Sequence, residues 1–308
     1  MQYRVKISKQ NIALIVGTII LGFPLMLYGW LHFSRPPRTA EQRELFQGII
    51  YQRRSVRSPR PVLIHIITID LTAPGVKPFT TPGITKPTTD EAETQAKTVP
   101  EFVNEFKLQL AINGSYFHPF REVTPWDYYP RTNDRVNVLG QLISNSNIYS
   151  PVESKWNVLC FGANNQAQIP GGEECPYGTV YGIAGAEILV LRGKIQNKSD
   201  SDTDKAYPRV AAAIDKEGKK LWLVLADGKQ PLYSEGLTIT ELTKFITELG
   251  AHTALNLDGG GSTTLAVATQ AGAKLLNAPS HTKLPMVARP VANHLGFYAN
   301  PVKNIEVP

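Results

Sequence analysis

A long stretch without charge near the N-terminus divides this chain into two unlike parts. No Asp, Glu, Lys or Arg occurs from Gln10 to Ser34. As a helix, residues 11–31 would span roughly 31 Å, close to the roughly 30 Å hydrocarbon core of a bilayer. We therefore predict a transmembrane anchor at 11–31, preceded by a tail at 1–10. A cleaved signal peptide and a buried core helix are the alternatives.

Most of the positive charge lies beside this stretch. The 308 residues carry a formal net charge of +6. Residues 1–60 contain ten basic and two acidic side chains, whereas the other 248 residues contain 22 basic and 24 acidic ones. A nucleic-acid-binding domain would spread Lys and Arg over a folded face, so we expect no nucleic-acid partner. Residues 32–47 are predicted to form a basic linker, and 48–308 one large domain.

Two features bear on which side of the membrane this domain lies, namely the flanking charges and the cysteines. Basic residues flank the stretch on both sides, so the positive-inside rule does not decide the orientation. Cys160 and Cys175 are the only cysteines. A disulfide between them would close a loop of about 15 residues and stabilise the fold by about 3 kcal/mol, which is useful only outside the cytosol. Two separate buried thiols are the other possibility. We expect a single-pass protein with an extracytoplasmic domain.

Strand-like segments are frequent in the domain, and helices are few. Residues 62–70, 108–112, 180–190, 209–214, 221–226 and 253–257 are strand candidates. Capping-box patterns predict helices that begin after Thr98 and after Thr238, the second ending before Gly250. Residues 118–150 show little periodicity. This order of elements favours an α+β fold over a doubly wound one.

Several common catalytic motifs are absent from the sequence. It has no G-x-x-x-x-G-K-[ST] phosphate loop, no G-x-G-x-x-G after a strand, no H-E-x-x-H and no G-x-S-x-G. Two isolated cysteines do not form a zinc site of the C-x-x-C type. The candidate catalytic and binding residues are therefore the polar residues at the ends of the predicted strands.

One strand candidate ends in an unusual run, Asp258 followed by Gly259, Gly260 and Gly261 and then by Ser262. Glycines permit positive φ and remove side chains, so backbone amides can approach a ligand closely. Such amides bind phosphate or hydroxyl oxygens, and an adjacent carboxylate can act as a nucleophile, a base, a hydroxyl acceptor or a metal ligand. A purely structural turn is the alternative.

Other strand ends carry polar residues of the same kind. Arg209 opens a strand, where it is suited to bidentate binding of phosphate. Asn113-Gly114 and Asp227-Gly228 follow two further strand candidates. A solvated arginine and an ordinary turn at Asp227-Gly228 are the alternatives when these residues are taken one by one. Taken together, they predict that these strand ends converge on one cleft.

Together these residues resemble the phosphodiester glycosidase family. The similarity runs in order over about residues 48–300. It is carried by A-I-N-G-S-Y-F (111–117), P-R-V-A-A-A-I-D (208–215), V-L-A-D-G (224–228), N-L-D-G-G-G-S-T-T-L (256–265) and R-P-V-A-N-H-L-G (289–296).

The resemblance implies hydrolysis of a sugar-1-phosphodiester at the anomeric carbon and an α+β fold with a twisted mixed β-sheet built around helices. The substrate would be a phosphorylated glycan or another sugar-1-phosphodiester. No cofactor is implied, although a bound Ca²⁺ or Mg²⁺ ion would fit the aspartates. Carried over position by position, the catalytic residues are Asp258, Asp227 and Arg209. The substrate-binding residues are Asn113, Gly114, Gly228, Asn256, Gly259, Gly260, Gly261 and Ser262.

In this hypothesis Arg209 and the amides of 259–261 bind the phosphate, and Asp258 acts on the sugar side or on the attacking water. Asp227 is the second carboxylate. The sequence departs from the family pattern at Tyr207 and Val210, which flank Pro208-Arg209, and at Glu187. Two other classes of function remain open. One is a non-catalytic glycan-binding or exopolysaccharide-assembly protein, and the other is a metal-dependent phosphodiesterase.

Overall fold

The computed structural model describes residues 8–84, 93–196 and 204–302. Residues 1–7 of the predicted tail and residues 303–308 of the predicted domain lie outside this part. The uncharged stretch forms a helix, α1, at Lys9–Phe33. Among the described residues, however, no helix is long and apolar enough to cross a membrane. The predicted anchor at 11–31 therefore has no support from the structure.

The described residues form mainly short strands. The helices are α1 Lys9–Phe33, α2 Val99–Phe106 and α3 Ile239–Glu248. The strands are β1 Glu41–Phe46, β2 Ile49–Val56, β3 Val62–Asp70, β4 Lys77–Thr80, β5 Thr94–Gln95, β6 Leu110–Asn113, β7 Phe117–His118, β8 Arg121–Thr124, β9 Asp127–Tyr129, β10 Arg135–Val138, β11 Leu142–Ser144, β12 Asn147–Ser150, β13 Val158–Gly162, β14 Ala167–Gln168, β15 Thr179–Ala184, β16 Ile188–Leu191, β17 Lys194–Ile195, β18 Arg209–Ile214, β19 Lys220–Ala226, β20 Thr253–Leu257, β21 Leu265–Thr269, β22 Gly272–Leu275, β23 Ser280–His281, β24 Leu284–Pro285 and β25 His294–Tyr298.

One eight-stranded sheet, two five-stranded sheets and three smaller sheets are formed by the described residues. The first sheet has eight strands in the order β1-β2-β3-β19-β18-β20-β16-β17, and the second has five in the order β22-β21-β6-β25-β4. A further five-stranded sheet has the order β12-β11-β15-β13-β14. Within the described residues the pairs of named strands are antiparallel, and the parallel contact is an isolated bridge between Ser280 and Val287.

The main core lies between the sheets. It joins Ile67 and Leu223 of the eight-stranded sheet to Ile112 and Phe297 of the five-stranded sheet β22-β21-β6-β25-β4. Alternation along each strand points the other side chains to the outer faces. There α3 packs on the eight-stranded sheet, and α2 packs on the sheet β22-β21-β6-β25-β4. The expected α+β class is confirmed. The expected mixed sheet is not found, because the pairs of named strands in the described residues are antiparallel. Helices α2 and α3 cover the sheets from outside instead of lying within them.

The helix predictions are confirmed in detail. Thr98 and Thr238 are the N-caps of α2 and α3, and each helix has a complete capping box, with Glu101 and Glu241 respectively. Each cap satisfies backbone N–H groups that the first turn leaves without partners. Both helices begin where the sequence predicts because the start signal is local.

Two predicted boundaries differ from the structure. The predicted linker 32–47 contains β1, which pairs with β2 at the edge of the eight-stranded sheet. The single strand predicted at 180–190 is two strands, β15 and β16, which belong to different sheets. They separate at Gly185, where an added Cβ would lie 2.6 Å from the Asn256 carbonyl oxygen. The segment 118–150, which lacks periodicity, forms very short strands that a periodicity argument does not detect.

Candidate active site

Three neighbouring strands of the eight-stranded sheet bring their polar ends to one side of the molecule. Arg209, the first residue of β18, pairs with Ala226, the last of β19. Val210 pairs with Leu257, the last of β20. Because these neighbours are antiparallel, the start of β18 lies beside the ends of β19 and β20. The polar residues that we singled out at these three strand ends therefore share one end of the sheet.

The second large sheet contributes to the same end through Asn113. Its side-chain Nδ2 donates to the Asp258 carbonyl oxygen at 2.6 Å, and the Asp258 amide donates to the Gly114 carbonyl oxygen at 3.1 Å. The Thr264 amide donates to Asn113 Oδ1 at 3.1 Å. Asn113 is buried and does not line the cleft described below. It fastens the loop after β20 to the neighbouring sheet.

A cleft of about 490 Å³ opens at this end, and we call it the Asp258 cleft. It contains four aromatic rings, three basic side chains and two carboxyl groups. The lining residues are Tyr116, Phe117, Phe120, Glu122, Tyr207, Arg209, Lys229, Asn256, Leu257, Asp258, Gly259, Gly260, Gly261 and Arg289. Six of the predicted site residues line it, namely Arg209, Asn256, Asp258, Gly259, Gly260 and Gly261. The other five lie behind its wall or beside it.

Asp258 has the electrostatic environment of a proton-transfer group. Burial raises its pKa to about 6, against the opposing effects of the Ser262 hydroxyl, the Arg289 charge and the Gly259 amide. A carboxylate with a pKa near the working pH is suited to general acid or base catalysis. Ser262 does not line the cleft, but it connects Asp258 to Arg289, whose Nη1 donates to the Ser262 hydroxyl at 3.0 Å.

Arg289 and Glu122 form an ion pair in the wall of the cleft. The Thr282 amide also donates to Glu122 Oε1 at 2.9 Å. Contact with His281 and the charge of Arg289 lower the pKa of Glu122 to about 2, against the effect of burial. Glu122 therefore stays ionised over the whole physiological range and orients Arg289. The two carboxyl groups of the cleft titrate far apart, which separates their roles.

The other two basic side chains of the cleft, Lys229 and Arg209, lie against the ring of Tyr207. Lys229 Nζ lies 4.0 Å from the centre of the Tyr207 ring and 2.5 Å from its hydroxyl, and the guanidinium of Arg209 lies 5.5 Å from the ring centre. Arg209 is further fixed by donating to the carbonyl oxygens of Leu237 and Lys205. The departure from the family pattern at Tyr207 thus supplies a ring that positions two cations.

The glycines are explained mainly by close packing. An added Cβ at Gly261 would overlap the Arg289 guanidinium. At Gly260, whose φ is +61°, it would lie 2.8 Å from the Tyr207 ring, and at Gly259 it would lie 2.6 Å from the Pro208 carbonyl oxygen. The Gly260 amide donates to that same carbonyl oxygen at 2.9 Å. The prediction that all three amides face a ligand thus fails at Gly260, whose amide is already paired.

Asn256 of β20 contacts Glu187, the residue directly before β16. Asn256 Nδ2 donates to Glu187 Oε2 at 2.8 Å, and the Asn256 amide donates to the Glu187 carbonyl oxygen at 3.0 Å. Tyr116 lies beside them, and burial together with the charge of Asp258 raises the pKa of its hydroxyl. The second departure from the family pattern, Glu187, therefore holds a side chain of the cleft in place.

Asp227 does not reach the cleft, although it was predicted to be the second carboxylate. It is 1 % exposed and is enclosed by polar partners. Its Oδ2 accepts from His65 Nε2 at 3.1 Å, and its Oδ1 accepts from Asn277 Nδ2 at 2.9 Å and from the Ala278 amide at 3.1 Å. Asn277 in turn donates to the carbonyl oxygen of Thr263 at 3.0 Å. Asp227 thus supports the loop 258–264 through Asn277, on the side away from the cleft.

Gly228, which was predicted to bind substrate, does not line the cleft and instead packs against Pro208. An added Cβ there would lie 2.6 Å from the Pro208 nitrogen, so the residue allows the turn after β19 to pack on the start of β18. Among the described residues, no group of three or more His, Cys, Asp or Glu side chains is placed to hold a metal ion.

Several residues of the cleft were not assigned to the site from the sequence. Arg289 opens the motif R-P-V-A-N-H-L-G, and Lys229 directly follows Asp227-Gly228, so the signals for both were present. Glu122 and Phe120 lie in the stretch without periodicity, where the sequence gives no signal. Their place in the cleft depends on the fold of β7–β9.

Comparison with known proteins supports this interpretation of the fold. The family model for phosphodiester glycosidases matches residues 106–298, more than half of the chain. The fold is similar to a Synechocystis protein, with a TM-score of 0.57 and 16 % identity over 87 % of this chain and 64 % of that one. The chain thus spans slightly less than two thirds of the Synechocystis protein. No curated protein sequence matches the chain.

Two other solved structures share the fold. The zebrafish N-acetylglucosamine-1-phosphodiester α-N-acetylglucosaminidase catalytic domain, auto-inhibited by its pro-peptide, has a TM-score of 0.57 and 20 % identity over 88 % of this chain and 93 % of that one. A Burkholderia pseudomallei protein described as exported has a TM-score of 0.55 and 13 % identity over 78 % and 75 % of the two chains. From the family match over residues 106–298, this chain belongs to the phosphodiester glycosidase family.

Proposed function

We propose that the Asp258 cleft hydrolyses a glycosyl phosphodiester by breaking the bond between the anomeric carbon and the phosphate oxygen. The observation that carries the proposal is the lining of this one cleft. A carboxyl group with a pKa of about 6 shares it with three basic side chains and four aromatic rings. Aromatic rings provide apolar surface for a sugar, and basic side chains suit a phosphate.

In this mechanism Asp258 acts in its ionised form as the general base. A water molecule attacks the anomeric carbon and gives its proton to Asp258. The bond to the phosphate oxygen breaks, and its electron pair leaves with the phosphate monoester. Arg209, Lys229 and Arg289 stabilise the charge on the leaving phosphate. Because a phosphate monoester is a good leaving group, little general-acid assistance is needed.

The proposal is tested by incubating the purified protein with a sugar-1-phosphodiester in ¹⁸O-labelled water. We expect the label in the released sugar, because water attacks carbon. Label in the phosphate would show P–O cleavage and overturn the proposed reaction. A parallel incubation with a chelator tests the metal-dependent alternative, which requires that activity be lost.

Asp258→Asn should lower kcat/KM by about a hundredfold or more, since a positioned base contributes about 10²–10⁴-fold. In the wild type, kcat/KM should rise with pH to a plateau above about 6, as Asp258 ionises. The matched control is Asp70→Asn. Asp70 lies at the opposite end of the same sheet, where it pairs with Lys220. Full activity of the Asp258→Asn variant would disprove the role of Asp258.

We further propose that the domain works outside the cytosol. This rests on the disulfide between Cys160 and Cys175, a bond that persists in oxidising compartments. Cell fractionation with a reporter of disulfide state tests this proposal. Fully reduced cysteines in the cellular protein would contradict it.

A further inference from the structure

A second cavity of about 460 Å³ adjoins the Asp258 cleft, and we call it the second chamber. The two share four wall residues, which are Glu122, Lys229, Gly261 and Arg289. The rest of the second chamber comes from other parts of the chain. The last turns of α1 supply Tyr28 and His32, and the turn between β23 and β24 supplies Lys283.

The second chamber is strongly positive. Its lining contains Arg35, Lys229, Lys283 and Arg289 but only one carboxylate, Glu122, which is already paired with Arg289. Within the described residues, neither Lys229 nor Lys283 forms an ion pair. Three of the four positive charges therefore lack a carboxylate partner in the chamber.

Arg35 is held in place by neutral groups. Its guanidinium lies 4.1 Å from the centre of the Tyr233 ring, and it donates to the His32 carbonyl oxygen at 2.9 Å and to Gln230 Oε1 at 3.3 Å. These contacts fix the position of the charge without neutralising it. A fixed cation in a partly enclosed chamber attracts an anion more strongly than a mobile surface cation does.

The two cavities match the two ends of a phosphodiester. Such a substrate has a sugar on one side of the phosphate and an alcohol on the other. Four aromatic rings line the Asp258 cleft, and Tyr28 and His32 supply two rings to the second chamber. Lys229 and Arg289 lie in the wall common to both cavities. With the sugar in the cleft and the phosphate at this wall, the alcohol side extends into the second chamber.

We propose that the second chamber binds the alcohol side of the substrate and selects alcohols that carry a further negative charge, such as a second phosphate. The inference rests on the proposed function, since it names the substrate class of the same site. Arg35 and Lys283 are the residues that distinguish a charged alcohol from a neutral one. Neither lines the Asp258 cleft.

The test uses two diesters of the same sugar-1-phosphate, one with a propyl group and one with a 3-phosphopropyl group. For the wild-type full chain we expect kcat/KM to be about tenfold higher for the phosphopropyl diester. One additional charge-assisted hydrogen bond is enough for a difference of this size. In Lys283→Asn the ratio of the two kcat/KM values should fall toward one. Asn is suitable because Lys283 has a φ of +64°, a conformation that Asn tolerates.

Lys107→Asn is the matched control, because Lys107 is an exposed lysine with a φ of +53° at the end of α2. It should keep the wild-type ratio, and thermal unfolding of both variants shows that they are folded. If the wild type hydrolyses both diesters at similar kcat/KM, or if Lys283→Asn keeps the wild-type ratio, the chamber proposal is wrong and the proposed function stands. If the wild type hydrolyses neither diester, the proposed function itself fails.

Discussion

At the scale of single residues, the shape of the cleft depends on Gly261, which leaves space for the side chain of Arg289. Arg289 lies against Gly261, donates to Ser262 and pairs with Glu122. The charge of Arg289 is one of the factors that limit the rise in the pKa of Asp258. Gly261 therefore leaves the space in which the Arg289 guanidinium lies.

We predict that Gly261→Ala lowers kcat/KM at least tenfold, because the added methyl group displaces Arg289 from Ser262 and from the phosphate position. The measurement is steady-state kinetics on a sugar-1-phosphodiester. The control is Gly172→Ala, where an added Cβ meets nothing within 4 Å. Equal kinetics for the two variants would show that Arg289 has no fixed place in the mechanism.

At the scale of elements, the small sheet β12-β11-β15-β13-β14 is held by a covalent link. Cys160 of β13 is bonded to Cys175, which lies in the loop before β15. The neighbouring strand makes room for it with Gly182, whose added Cβ would lie 2.9 Å from Cys175 Sγ. Of the two alternatives that the sequence left open, the structure contains the disulfide.

Replacing both cysteines by serine should lower the free energy of unfolding by about 3 kcal/mol, since the bond closes a loop of about 15 residues in the unfolded chain. Denaturant unfolding measures this loss. Wild-type protein in reductant should lose a similar amount. Unchanged stability of the double variant would mean that the loop is equally constrained without the bond.

At the scale of the whole molecule, the cleft lies where the ends of two packed sheets meet. The hydrophobic core lies between those sheets, and the cleft at their ends is lined by Arg209 at the start of β18 and by Asp258 and Arg289 in loops. Placing a carboxyl group there costs stability. The pKa of Asp258 in the folded protein, about 6, is above the usual value for aspartate of about 3.9, so folding favours its protonated form.

Asp258→Asn should therefore stabilise the protein at pH 7.5 by an amount on the order of 2 kcal/mol. The destabilising effect of the native carboxyl group is fully present above pH 6. It decreases as the pH falls from about 6 to about 4, and it is absent below both pKa values. Thermal unfolding of both proteins at pH 7.5 and at pH 3.5 measures the difference. An equal difference at the two pH values would show that the buried charge of Asp258 is not its cause.

The predictions from sequence succeeded where the signal is local. The capping boxes at Thr98 and Thr238 place both helix starts correctly, because a cap needs only residues three positions apart. They failed where distant segments meet. Asp227 and Asp258 have the same kind of signal, an aspartate before glycine at a strand end, but only Asp258 faces the cleft.

The sequence by itself determined the α+β class, the strand ends that carry the polar residues and the family, because these depend on local patterns and on motif order. The tertiary structure alone decided which of those residues line the cleft. It buried Asp227 against His65 and Asn277, and it brought Glu122 and Arg289 to Asp258. It did so because folding joins segments that are distant in the sequence: His65 lies 162 residues before Asp227, and Glu122 lies 167 residues before Arg289.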